Sequence, residues 1–451
     1  MAITSIIFAL SIQSGGAAGF TLTDLGITQY QYYGGGLDIN NSGVVVGTQA
    51  YEPQFNLGDR AVVWTPGGGV EELPTLGGEW SISLGINDVG QVVGYSQVSQ
   101  SSTSDAYHGF VWSSTEGMID VGTLGSRGSR VEDINNSGLA VGTDQLGTGR
   151  AFTWTESDGP TGFDGLLGDP NGARAFAVNE AGQVVGSSDG VGAYGQHAFV
   201  WSEANGITDL SSAYSEALDI NNAGMIVGRS NGSNFGRSQP EAVVWNPSGT
   251  MTAIGPGFAY GVNETGQVVG KRNVSRPGPN LIGGFLWEEG IGLQHLRLLD
   301  ASAGFIYSVD AINDSGQMVG WLSTGSILHT AVLLTPTSDA ANADVITSLL
   351  WPDPDNPDSD WDGIPDDEDA CPDSIGVDGT VIIGECDSGV ENVLFEDGCT
   401  MADLIQEISD LSATTKEFVA GTRDLTKAWK KQGLISGKEA SRINRCARQS
   451  S

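Results

Sequence analysis

The chain has 451 residues, with 66 Gly, 20 Lys and Arg together, and a formal net charge of −35. That length allows two or three domains, and so many glycines with so few basic residues favour strands and tight turns over long helices. The charge argues against nucleic acid and anionic membrane surfaces as partners, because both are held by Lys and Arg.

The first element in chain order is the apolar run ITSIIFALSI at 3–12, followed by the small residues GGAAG at 15–19. It is too short to cross a bilayer. It reads as a secretory signal peptide over residues 1–19, although no Lys or Arg precedes Arg60. A secreted or cell-surface location follows from that reading, and no later segment is apolar enough for a membrane span.

From residue 20 to 337 the sequence repeats itself. Asn40, Asn87, Asn135, Asn179, Asn221, Asn263 and Asn313 recur at spacings of 47, 48, 44, 42, 42 and 50. Each follows Ile or Val. Each has Gly three places later, from Gly43 to Gly316, and again four places after that, from Gly47 to Gly320. An Asn that bonds its own backbone opens a turn, Gly tolerates positive φ, and the flanking Val and Ile supply strands. The spacing therefore predicts a hairpin that is a scaffold joint, not a catalytic signature.

A second hairpin follows in every copy. Its first strand ends in Trp, as in AVVW at 61–64 and GFVW at 109–112; the seventh copy has AVLL at 331–334 instead. A Gly-containing turn then leads to a fourth strand such as GMIDVGTLG at 117–125. Four short strands in each of seven copies predict an all-β fold, a seven-bladed β-propeller of four-stranded blades. The seventh copy stops without a fourth strand. FTLTDLG at 20–26 matches the fourth strand of the others, so it is expected to pair there and close the ring, removing an open edge. A β-solenoid with free ends is the alternative.

HAFVW at 197–201 and HGFVW at 108–112 carry a further likeness. Over about residues 20–337 the chain resembles the HAF family of bacterial extracellular repeats. The resemblance implies an exported repeat protein and brings no catalytic residue with it. His108, His197 and His329 are read at one place, four residues before the Trp position, as polar strand starts. The Trp row is read as packing between blades.

The variable segments leading into each first strand crowd one face of a propeller. They carry Tyr33, Trp80 and Tyr214 at one offset from the reference Asn, Tyr260 and Tyr307 on later blades, and Arg130 and Arg174 where no ring stands at that offset. Rings with a polar tip suit partly wet binding surfaces and sugar stacking. These seven residues form the candidate ligand site, with a glycan or an extracellular protein as partner. There is no nucleophile elbow, His-Glu-x-x-His or phosphate loop. The reading is a binding or interaction protein. The alternatives are a carbohydrate-active enzyme, glycosidase or lyase, using channel carboxylates, and a structural envelope or matrix component.

Residues 338–374 read as an acidic calcium-binding linker. Nine of the 17 residues from Asp353 to Asp369 are acidic, with the pattern D-x-D-x-D-G-x-x-D-x-x-D from Asp358. Ca²⁺ takes six to eight oxygens from a tight loop. Asp358, Asp360 and Asp362 would supply side chains, Ile364 its carbonyl, and Asp366 and Asp369 the remainder. With the following Cys371-Pro372, the stretch resembles a thrombospondin type 3 repeat.

Residues 375–451 read as a small, mainly helical, disulfide-bonded module. Amphipathic helices are predicted over about 400–411, with Thr400 as cap, then 414–432 and 436–447. Cys371, Cys386, Cys399 and Cys446 all lie in the last 81 residues. An even count in an exported chain predicts two disulfides with three pairings open, Cys446 tying the last helix to Cys386 or Cys399.

Overall fold

The computed structural model describes residues 19–30, 37–50, 58–99, 106–145, 149–168, 172–190, 195–211, 213–231, 240–274, 281–298, 304–324, 328–337, 345–349, 380–383, 386–391, 400–412, 414–432 and 434–449. The expected signal peptide up to residue 18, Tyr33, the calcium ligands Asp358, Asp360, Asp362, Ile364, Asp366 and Asp369, and Cys371 and Cys399 lie outside the described residues. The chain divides into two compact units, residues 1–348 and 349–451.

In the first unit each copy of the repeat builds antiparallel strands in sequence order. Repeat 1 consists of β2 (Asp38–Ile39), β3 (Val45–Gln49), β4 (Arg60–Thr65) and β5 (Gly69–Glu72). Repeats 2, 3 and 4 form three more separate four-stranded sheets. Repeats 5, 6 and 7 run together in a twelve-stranded sheet. There the long strand Met251–Val262 ends repeat 5 and begins repeat 6, pairing Met251 with Trp245 and Val262 with Val268. The fourth strand of repeat 7 is β1 (Gly19–Tyr30), which pairs antiparallel with Leu328–Thr337 from Gly19↔Thr337 to Asp24↔Val332. The other edge of β1 meets Val345–Leu349, with Phe20 opposite Val345.

The reference Asn explains the turn. The side-chain oxygen of Asn40 accepts the N–H groups of Ser42 and Val44, each at 3.0 Å. Gly43, with φ 75°, then takes a conformation that costs a side chain dearly. The second Gly has a different cause. The first strands of repeats 2–7 carry a bulge three residues before the Asn, as between Val131 and Asp133. A Cβ at Gly142 would collide with the Arg130 carbonyl, and one at Gly186 with the Arg174 carbonyl. Glycine stands there for close backbone approach.

The core lies between neighbouring repeats. Val93 and Val111 of repeat 2 pack with Val131 and Phe152 of repeat 3; Val141 and Ala151 pack with Ala175 and Phe199 of repeat 4. Leu25 and Ile27 of β1, with Val319 and Leu333, pack against Leu37, Ile39 and Val62 of repeat 1. In four of the third strands the deepest ring is the Phe two places before the Trp: Phe110, Phe152, Phe199 and Phe285 are fully buried. Of the Trp row, Trp154 and Trp245 are buried and the other four are half-buried. His329 does not share the place of His108 and His197. Met318 pairs with Leu334 where Val184 pairs with Trp201, which puts the Trp position at Leu334, five residues beyond His329.

The second unit pairs Thr380–Ile383 with Cys386–Glu391 and adds α1 (Met401–Leu411), α2 (Thr415–Gln432) and α3 (Gly437–Gln449). Thr400 and Asp403 form a reciprocal capping box at α1. Val381, Met401, Phe418, Trp429 and Ile443 share the core. Cys386 is bonded to Cys446 of α3, one of the two partners left open by the sequence.

Candidate functional site

One end of the first unit is formed by the Asn turns. Asn40 Nδ2 donates to the Asn87 carbonyl, Asn87 to Asn135, Asn135 to Asn179, Asn179 to Asn221, Asn221 to Asn263 and Asn263 to Asn313, at 3.0–3.2 Å. Asn313 donates to the Asn40 carbonyl at 3.1 Å. The residue after each Asn repeats the circuit outside it. Asn41 N–H donates to Asp88, Asp88 to Asn136, Asn136 to Glu180, and so on to Asp314, whose N–H returns to Asn41. These turns surround a basin of about 230 Å³. The Asn side-chain amides and the backbone N–H groups that follow them are taken up by these two circuits, and Asp88, Glu180, Glu264 and Asp314 line the basin.

Just behind the Asn ring stand carboxylates that the sequence did not single out. Asp38 accepts the N–H of Ile39 and that of Ile86 in the next repeat, both at 2.8 Å. Asp133 bridges Ile134 and Val178, and Asp219 bridges Ile220 and Val262, in the same way. Asp310 takes the N–H of Leu37 and the indole N–H of Trp321. Repeats 2, 4, 6 and 7 carry Gly85, Ala177, Gly261 and Ala311 at the place of Asp38, Asp133 and Asp219, and Asp310 stands one residue earlier. Burial pushes the Asp38 carboxyl up to about 8, and like-charge repulsion from Asp133 and Asp219 adds to it. Burial likewise takes Asp219 to about 7 and Asp133 to about 6, opposed in each by its two backbone donors. These carboxylates clasp one first strand to the next.

The opposite end of the first strands carries the predicted ligand residues. Trp80 packs against Tyr95 and Tyr107, with ring centroids 5.7 and 5.8 Å apart. The Arg130 guanidinium lies 5.0 Å from the Tyr95 ring centre and 3.0 Å from Glu132. Burial raises the Glu132 carboxyl while Arg130, and more weakly Arg174, pull it down. Tyr214 donates to Glu216 at 3.2 Å, and Arg229 Nε donates to Glu216 at 2.8 Å. That guanidinium lies 5.5 Å from the Tyr214 ring centre and 5.2 Å from that of Phe258. Tyr260 stacks beside Phe258, and burial raises its phenol, with Asp310 and Tyr307 contributing. Lys271 Nζ lies 3.6 Å from the Tyr307 ring centre, and His329 packs on that same ring at 4.4 Å. Burial and Lys271 both lower the His329 imidazole.

The structure thus brings the predicted residues into two groups, Trp80 with Arg130, and Tyr214 with Tyr260 and Tyr307. Exposed Arg174 stands between them, acting on Glu132 of one group and Tyr214 of the other. Sequence reasoning missed Tyr95, Arg229 and Lys271. Each lies eight residues after its reference Asn, directly after the second Gly. That fixed offset was the available signal.

Four separate antiparallel sheets and a merged set of three more, packed face to face in sequence order, make the first unit propeller-like. No family model and no curated protein matches the chain. Among solved structures it is similar to TolB from Acinetobacter baumannii, at 12% identity and a TM-score of 0.37 over 67% of this chain and 65% of that one. It is also similar to an acylaminoacyl peptidase from Pyrococcus horikoshii (11%, TM-score 0.46, 70% and 51%) and to the WD40 β-propeller domain of Doa1 (10%, TM-score 0.38, 71% and 98%). The chain spans less than two thirds of the first two. These likenesses bring no ligand or activity to it.

Proposed function

We propose that this is an exported binding protein whose first unit is a seven-bladed propeller closed by β1, and which holds a glycan at the end opposite the Asn turns. The observation that carries the reading is the row of rings and cations from Trp80 to Tyr307, half-buried side chains whose polar tips and faces sit at one end of successive first strands. Such rings offer apolar faces to a sugar and hydrogen bonds at its rim. The return of the Asn circuit from Asn313 to Asn40, and the pairing of β1 in repeat 7, support the closed ring. Glycosidase or lyase chemistry would use the inner-strand carboxylates, but Asp38, Asp133 and Asp219 are each engaged by two backbone donors.

The test is a polysaccharide panel with the full chain in calcium, following retention and release of reducing ends together. Retention without products is the expected result; products would overturn the binding reading. Asp358, Asp360, Asp362, Ile364, Asp366 and Asp369 would hold a structural Ca²⁺ in the linker. Replacing Asp360 and Asp362 with Ala is expected to abolish saturable calcium binding in calorimetry, and retained affinity would remove them from the ligand set.

A further inference from the structure

We propose that the ring-and-cation row takes an anionic polysaccharide, its oxyanions bound by Arg174 and Lys271 and its sugar faces laid on the neighbouring rings. This rests on the glycan-binding reading above and narrows it to charged chains.

The argument begins with where the few cations stand. The whole chain has 20 basic residues against 55 acidic ones, yet repeats 3, 4, 5 and 6 each place one at the same level of the same end. Arg130 and Arg174 lie five residues before their reference Asn. In repeats 5 and 6 that place holds Glu216 and Phe258, and the cation stands directly across the strand pair, as Arg229 opposite Glu216 and Lys271 opposite Phe258. Residues directly opposite in an antiparallel pair share a face, so the four form one arc.

Two of the four are neutralised locally, Arg130 by Glu132 and Arg229 by Glu216. Arg174 and Lys271 form no ion pair among the described residues, though Glu132 and Asp310 stand within electrostatic reach of them. Arg174 is exposed, and Lys271 is backed by the Tyr307 ring. Deeper at the same level, the hydroxyls of Thr143, opposite Arg130, and Ser187, opposite Arg174, are buried with no hydrogen-bond partner among the described residues. His329 Nε2, against Tyr307, is in the same condition, and that side chain is 4% exposed. Two cations and three unpartnered polar groups therefore stand at this one end of a strongly acidic molecule, beside the equally unpartnered Asp144 carboxylate oxygen.

Arg174 and Lys271 belong to repeats 4 and 6, so a ligand that touches both must extend across repeat 5, past Tyr214 and Arg229. A polymer does this where a monosaccharide does not. A guanidinium fork and an ammonium both take carboxylate or sulfate oxygens. Charges elsewhere on the protein act weakly beyond a screening length of about 8 Å at physiological salt, which lets a local arc bind an anion despite the net charge.

The experiment measures retention of the full chain on polygalacturonate, dextran sulfate and neutral dextran, for the wild type, Arg174→Gln and Lys271→Gln. Binding to at least one anionic polymer should weaken about ten-fold in each variant, the scale of one charge-assisted hydrogen bond, and by more than any binding to neutral dextran weakens. The anionic arm that responds identifies carboxylate or sulfate as the group recognised. Arg174 is exposed, so its variant keeps the test open if the Lys271 variant fails to fold. Anionic binding that both variants leave untouched would overturn the proposal. Retention on neutral dextran alone would overturn it while leaving the glycan-binding reading standing; retention on none of the three would remove both.

Discussion

An Asn at the reference place performs two tasks that no other side chain combines. Its oxygen caps its own turn, and its amide nitrogen reaches the carbonyl of the next repeat. Aspartate keeps the first and loses the second, setting a carboxylate oxygen against a carbonyl where a hydrogen bond had been. Asn179 is buried and donates to Asn221 at 3.2 Å. The change Asn179→Asp is expected to cost about 2–3 kcal/mol, the size of a buried unsatisfied polar group, read from chemical denaturation of the first unit. The clasping carboxylates give a second residue-scale expectation. Asp38, Asp133 and Asp219 titrate near 8, 6 and 7 in the folded chain and near 4 when unfolded. The folded state thus holds more protons between those limits, so the contribution of these groups to stability is full below about pH 4 and is lost progressively as pH rises from 4 to 8. Melting temperatures at pH 5 and 8 check the sign, and Asp38→Asn should flatten the slope.

At the scale of the strand, β1 decides whether repeat 7 has an exposed edge. Its partners lie more than 300 residues away in sequence, and Phe20, Leu25 and Ile27 are buried in two different inter-repeat cores. Deleting residues 20–26 exposes the edge of Leu328–Thr337 and empties part of both cores. The melting temperature of the first unit should drop sharply and aggregation should follow; an unchanged melt would mean that β1 contributes nothing to closure. This pairing was legible from FTLTDLG because a fourth strand is defined by local chemistry, an apolar alternation ending at Gly. The Asn–Gly hairpins were legible for the same reason. The end that carries the rings and cations was only half legible. Trp80, Tyr214 and Arg130 precede the Asn and stand out against a variable segment. Arg229 and Lys271 lie within an unbroken strand, marked in sequence only by their fixed place after the second Gly, and the bulged register shows that they face Glu216 and Phe258. The clasps of Asp38, Asp133 and Asp219 were hidden by number, since 55 acidic residues offer no pattern until two backbone donors converge on one of them.

At the scale of the whole molecule, the chain joins two compact units stabilised by different means. The first depends on burial between repeats and contains no cysteine. The second is about a hundred residues long, with two short strands and three helices among its described residues, and its described core is stapled by Cys386–Cys446 across a separation of 60 residues. Closing a loop of that length removes chain entropy from the unfolded state worth about 4 kcal/mol, a large share of what a domain of this size retains in total. Reduction therefore acts on one unit and not the other. Calorimetry of the full chain should show two transitions. Adding a thiol reductant should lower only the transition of the second unit, by tens of degrees, and Cys446→Ser should lower that same transition without reductant. The propeller-like unit should melt at the same temperature in both. A single transition that moved as a whole would mean that the disulfide supports the entire chain and that the two units unfold as one.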